Sequence, residues 1–175
     1  MNIIKTIQRP INYSEIKRGE MMSGYNKEFK IYKPKKNLDG TAIQFSFNKE
    51  KGAIFATFAN QINGQDKNGN YIFDWDNKGV FKLGLNDVGE MLSVLHDRQN
   101  GVGPIRDSKH AGLFHKSQTG NSILYFTKGR NTGFFIMLSV HKDENKNKYK
   151  CNITNSECEV LCTILKQAIN KIFGW

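Results

Sequence analysis

No run of apolar residues in this 175-residue sequence approaches the roughly 20 that a helix needs to span a bilayer. The N-terminus, MNIIKTIQRP, lacks the apolar core of a secretory signal, so the expectation is a cytoplasmic protein with no membrane partner. Cysteine is scarce: Cys151, Cys158 and Cys162 form no CxxC pair and read as reduced thiols in or near the core rather than as metal ligands or a disulfide. The histidines His96, His110, His115 and His141 make no HExxH and have no companion pattern for a nucleophile. No Walker loop or GxGxxG follows a predicted strand. The loop from Asp66 to Asp74 starts like a calcium loop, but Tyr71 stands where glycine is needed and Asn77 where the bidentate glutamate belongs. Asp74 and Asp76 flank Trp75, yet a nuclease would need a third acid and a metal geometry that nothing here specifies. The expectation is no metal, no cofactor and no catalysis.

What is present is strand, turn and one strong helix. Asn121–Lys128 (NSILYFTK) and Gly133–His141 (GFFIMLSVH) are rich in β-branched and aromatic residues, and Gly-Arg-Asn-Thr between them supplies turn chemistry, which predicts a hairpin. A four-residue turn places Phe126 opposite Phe135. One face then carries Leu124, Phe126, Lys128, Phe135, Met137, Ser139 and His141. The other carries Ile123, Tyr125, Thr127, Phe134, Ile136, Leu138 and Val140, and is the better core face. Lys148–Ile153 follows, then Thr154, which with Glu157 fits a capping box. Val160, Leu161, Ile164, Leu165, Ala168, Ile169, Ile172 and Phe173 trace one apolar helical face.

Earlier in the chain, residues 1–27 show no sustained period and are expected to be a partly ordered arm. Glu28–Lys33 predicts a strand, and Thr41–Asn48 with Ala53–Gln61 predicts a hairpin whose inner face is Ile43, Phe45, Phe47, Ile54, Ala56 and Phe58. A polar loop leads to a strand over Val80–Leu85 and a helix from about Asp87 to Asn100 with Val88, Met91, Leu92 and Leu95 inward. Residues 101–111 have linker composition, and Gly112–Lys116 opens the second set of strands. The chain thus reads as one domain over 28–175, built of two repeats, 28–100 and 112–175, each of four strands and a helix. Glu90–Leu95 aligns with Glu159–Ile164. The expected class is α+β, two repeated units of four antiparallel strands plus one helix.

Charge follows the same division. The net charge is +10; residues 1–40 hold 9 Lys/Arg against 4 Asp/Glu and residues 112–153 hold 7 against 2, while the remaining stretches, the last helix included, balance. Basic strands beside a neutral amphipathic helix suggest a polyanion on the sheet and a core or a partner on the helix. The candidate binding residues on the strand faces are Gln44, Ser46, Asn48, Phe55, Phe126, Phe135 and His141, with the cations Lys30, Lys82, Lys128, Lys148 and Lys150, Tyr32 on the first strand and Arg130 at a turn tip. Rings interleaved with cations suit a single strand, whose bases stack and whose phosphates meet Lys or Arg. Duplex DNA asks instead for a basic helix, and neither helix is basic enough. The alternative for the rings is packing under a loop or a neighbouring subunit.

The order of elements, with the strand-to-helix junctions VFKLGLNDVGEMLSVL and KYKCNITNSECEVLCTIL, resembles the Whirly proteins and their kinetoplastid guide-RNA-binding relatives over roughly Glu28 to Phe173. More distantly it resembles the positive-cofactor-four type of coactivator and its phage single-strand-binding cousins. The Lys-Gly-Lys-Ala-Ala-Leu signature of plant Whirly proteins is missing; Tyr32–Leu38 keeps its basic character alone. The resemblance implies curved antiparallel sheets with the helices packed on one side, a surface that binds single-stranded DNA or RNA with little sequence preference, and helices that build a homo-oligomer, a dimer or tetramer. The sequence has 19 Asn and 21 Lys, as AT-rich genomes tend to produce, which points to a bacteriophage or low-GC bacterium as the source. For a single-strand-binding protein from such a source, the expected service is DNA replication, recombination or repair. The end, Phe173-Gly174-Trp175, differs from the acidic tail of bacterial single-strand-binding proteins and is expected to pack against the fold or a partner subunit.

Overall fold

In the first unit, alternating apolar and polar residues make an antiparallel meander of Glu28–Lys33 (β1), Thr41–Asn48 (β2) and Ala53–Gln65 (β3). The start of β3 also pairs with Gly79–Leu83 (β5), whereas its far end turns back onto Tyr71–Phe73 (β4). The sheet proper is therefore β1-β2-β3-β5, and β4 extends β3 as a hairpin. Leu85–Leu95 (α1) follows β5 in the chain. The second sheet runs Leu113–Ser117 (β6), Gly120–Lys128 (β7), Phe134–Lys142 (β8) and Asn145–Ile153 (β9) in chain order, followed by Asn155–Phe173 (α2). The computed structural model describes residues 28–103, 112–118, 120–142 and 145–174; the expected arm at 1–27, most of the expected linker, His110 and the terminal Trp175 lie outside the described residues.

Both expected four-strand-and-helix units are present, and the differences lie in the turns. The β3–β4 hairpin replaces a stretch expected to be loop. Its residues have little hydrophobic period, but a register shift between Gln61 and Gln65, Gly64 at φ +114° and the Asp66 carboxylate accepting the N–H groups of Asn68 and Asn70 hold the reversal. The α1 helix stops at Leu95, five residues before the expected Asn100, because Asp97 takes a left-handed φ of 65°. The β7–β8 connection uses five residues, not four: Gly129 N–H donates to the Gly133 carbonyl, and Gly133 sits at φ +68°. Phe126 therefore opposes Ile136, and Phe135 opposes Thr127. One residue of slip moves all of β7 to the other face relative to β8.

Both units bury one face into a shared core. Ile43, Phe45, Ile54, Phe58 and Phe81 come from the first sheet, Leu124, Phe126, Ile136 and Leu138 from the second, Met91 from α1, and Leu161 and Leu165 from α2. Each such side chain contributes about 1.5–3 kcal/mol by leaving water. Polar ties cross between the units: Tyr149 Oη donates to the Asn77 carbonyl at 2.8 Å, and Lys33 Nζ lies 2.7 Å from Glu157. The predicted capping box of α2 is formed, with Thr154 N–H donating to Glu157 Oε2 at 2.8 Å and Glu157 N–H donating to Thr154 Oγ1 at 3.3 Å. Cys151, Cys158 and Cys162 are free and buried, and burial pushes the Cys151 and Cys158 thiols up to about 12.

Candidate nucleic-acid interface

Because side chains alternate across a strand, the buried residues fix which ones point away from the core. On the first sheet, Lys30 and Tyr32 on β1, Gln44, Ser46 and Asn48 on β2, Phe55 on β3 and Lys82 on β5 share the outward face. Lys30 stands opposite Gln44, and both reach Glu28: Lys30 Nζ at 2.9 Å and Gln44 Nε2 at 2.9 Å. Ser46 opposes Phe55, which in turn opposes Lys82, while Lys51 Nζ lies 5.5 Å above the Phe55 ring. Asn48 Oδ1 accepts the Lys51 N–H at 2.8 Å, so this side chain also shapes the turn. The structure thus brings these seven predicted residues onto one surface.

The second sheet divides its predicted residues. Phe135 and His141 on β8 and Lys148 and Lys150 on β9 face outward, with Lys150 opposite Met137, Lys148 opposite Ser139 and Lys146 opposite His141. His141 Nε2 lies 3.1 Å from Ser139 Oγ. Phe126 does not belong to this surface: it is fully buried, its ring stacked on Phe134 at 5.4 Å and an interplanar angle of 7°. Lys128 shares the Phe126 side of β7 and pairs with Asp97 just past α1. Arg130 is exposed in the β7–β8 loop, off the sheet face. In their place the one-residue slip turns Ile123, Tyr125 and Thr127 outward, and the β6 pairing adds the exposed Phe114 beside Ile123. Gly129 and Gly133, which allow a five-residue reversal, are the sequence signal that points to Tyr125.

Lys150 connects the two surfaces. Its ammonium lies 3.2 Å from Asp39 in the β1–β2 connection, and Lys35 lies 3.5 Å from the same carboxylate. The bond from Lys150 is the leading cause that holds the Asp39 carboxyl below its usual range. The buried Gln61 fixes this connection by accepting the Lys35 N–H at 2.8 Å and donating to the Lys35 carbonyl at 3.0 Å. Cations of both units therefore meet beside Asp39. Among the described residues no group of three or more His, Cys, Asp or Glu side chains is arranged to hold a metal ion.

Two antiparallel sheets, each followed in the chain by a helix and each turning cations and rings outward, define a duplicated α+β sheet protein. The sequence model of the Whirly transcription factor family matches residues 26–164, and the chain belongs to that family. Solved structures agree at the level of fold. WHY3 from Arabidopsis thaliana matches with a TM-score of 0.64 at 18% identity, covering 87% of this chain and 92% of that one. MRP1/MRP2 of Trypanosoma bruciei gives 0.64 at 13% identity, with 86% and 88% covered. A guide-RNA-binding protein complex bound to a guide RNA also gives 0.64 at 13% identity, with 86% and 94% covered. No curated protein sequence matches the chain.

Proposed function

We propose that this chain is a sequence-tolerant single-stranded DNA-binding protein without catalytic activity, and that it works as a homo-oligomer assembled through its helices. The observation that carries the reading is the outward face of the second sheet. Lys146, Lys148 and Lys150 alternate along β9, facing the same way as His141, Ser139, Met137 and Phe135 on β8 and Tyr125 on β7. Alternate residues of a strand are about 7 Å apart, close to the repeat of phosphates along an extended single strand, and the rings beside them offer stacking platforms. The first sheet repeats the combination with Lys30, Tyr32, Phe55 and Lys82.

Assembly draws support from α2, whose charges balance and whose Val160 is 46% exposed. The Asn- and Lys-rich composition supports a bacterial or phage source, and the proposed setting is the cytoplasm, in the service of replication, recombination or repair. RNA is the second reading, favoured by the fold neighbour that holds a guide RNA.

The test is fluorescence anisotropy of labelled oligo-dT across a salt series, beside matched RNA and duplex. Tight binding to the single strand, with log K falling linearly against log salt and duplex clearly weaker, is expected. Absence of binding at low salt would refute the reading, and tighter binding to RNA would transfer it to the second ligand class.

A further inference from the structure

The stretch rejected as a calcium loop builds something else. The β3–β4 hairpin folds back so that Tyr71, Phe73 and Trp75 close, together with Tyr32 of β1, around a recess of about 750 Å³. Tyr32 and Phe73 are in ring contact at 5.6 Å, tilted by 53°, which fixes the angle between two of the walls. The rim is polar and held in place: Asp66 Oδ1 accepts the N–H groups of Asn68 and Asn70 at 2.8 and 2.9 Å, and Asn70 Nδ2 donates to Asp66 Oδ2 at 3.0 Å. The other end of the hairpin is tied down by Asp74, which accepts from the Asn77 N–H at 3.0 Å and from its side-chain amide at 2.8 Å.

Resting on the single-strand reading, we propose that this recess receives one unstacked nucleobase of the bound strand, seated against Trp75, Tyr71 and Tyr32. Two observations select a base over other occupants. Tyr32 belongs both to the recess and to the outward face of the first sheet, so the recess continues the proposed binding surface. Pro34 also lines the recess, and the next residue is Lys35, a cation suited to a flanking phosphate, which shares the Asp39 carboxylate with Lys150 of the second sheet. A recess of this volume exceeds what a lone ammonium group would fill, whereas a base with part of its sugar is of suitable size. Side chains with π faces accept any base, which keeps the site sequence-tolerant.

Trp75 and Trp175 are the tryptophans of the chain, so a Trp175→Phe background leaves Trp75 as its reporter. Titration with oligo-dT is expected to quench Trp75 emission in step with the anisotropy of a labelled strand. Tyr71→Ala in the same background is expected to weaken strand binding roughly tenfold, with the salt slope unchanged because no phosphate contact is removed. Strand binding that leaves Trp75 emission unaltered, with Tyr71→Ala at the parental affinity, would overturn the recess while the single-strand reading stands. Quenching by tetramethylammonium with oligo-dT silent would overturn it in favour of a cation cage. No strand binding by the parent at low salt would remove the single-strand reading and the base with it. The parental emission titration decides the matter even if Tyr71→Ala does not fold.

Discussion

Phe126 and Tyr125 are neighbours in sequence on opposite faces of β7, so alanine at each makes opposite demands on stability and binding. Phe126 is fully buried, stacked on Phe134 and opposite Ile136. Truncating it leaves a ring-sized cavity between two sheets that cannot collapse independently, at a cost of about 3–5 kcal/mol. Against a typical total of about 5–15 kcal/mol, that is a large share. With a urea slope of about 2 kcal/mol/M, the unfolding midpoint of Phe126→Ala should fall by about 2 M. Tyr125 is half-buried and turned outward, opposite Met137. Its truncation should cost about 1 kcal/mol of stability but remove a stacking platform, weakening oligo-dT binding about 5- to 150-fold. Urea unfolding followed by circular dichroism, paired with anisotropy at a temperature where both variants are folded, reads the two effects separately. A Phe126→Ala protein of parental stability with impaired binding, beside a Tyr125→Ala protein that unfolds readily, would refute the register on which the outward face is built.

Lys148→Ala should reduce the slope of log K against log salt by about 0.7, one phosphate contact on a single strand, and an unchanged slope would exclude Lys148 from the phosphate path. Burial pushes Glu157 up, but Lys33 and the backbone and hydroxyl donors of Thr154 outweigh it and hold the carboxyl below its usual value. Since the folded value is the lowered one, the stabilisation is complete above the ordinary glutamate value and is lost as pH falls through the folded value. Glu157→Gln should therefore flatten the acid limb of Tm against pH, and an identical limb in both proteins would count against this capping box as an acid-sensitive tie. The Cys151 and Cys158 thiols, pushed up to about 12, should resist a thiol-specific reagent at neutral pH until urea is added; prompt labelling of the native protein at these positions would contradict their burial.

The architecture was legible because its signals are local. The alternation in Thr41–Asn48, the capping box at Thr154–Glu157 and the apolar stripe of α2 each repeat over enough residues for one period to stand out. The outward face of the first sheet was legible for the same reason. The second sheet was not, since its assignment hung on whether Gly133 begins a strand or ends a loop, and glycine itself has no side chain to decide it. The wrong count exchanged Phe126 for Tyr125. The recess was hidden for another reason: Tyr32 and Phe73 meet through the fold-back of a hairpin whose residues carry little periodicity, held by Asp66 and a register shift. Sequence spacing reports residues that share an element, and these rings are brought together by different ones.

The strand order described above also bears on how the chain reaches its structure. Within each sheet nearly every strand pairs with its neighbour in sequence: β1 with β2, β2 with β3, and β6 through β9 in turn. The departure is β3 with β5, and even there the intervening residues are already gathered into the β4 hairpin. Closing short loops costs little entropy, and topologies of sequence neighbours form quickly. Each sheet can therefore assemble largely on its own, leaving the slow event to be the meeting of the two units across Phe58 and Tyr149, whose rings lie 6.3 Å apart. Until that meeting both apolar faces stand open to water, and it is over this interval, rather than in the native state, that a chain with two ready-made sheets is most exposed to joining the wrong partner.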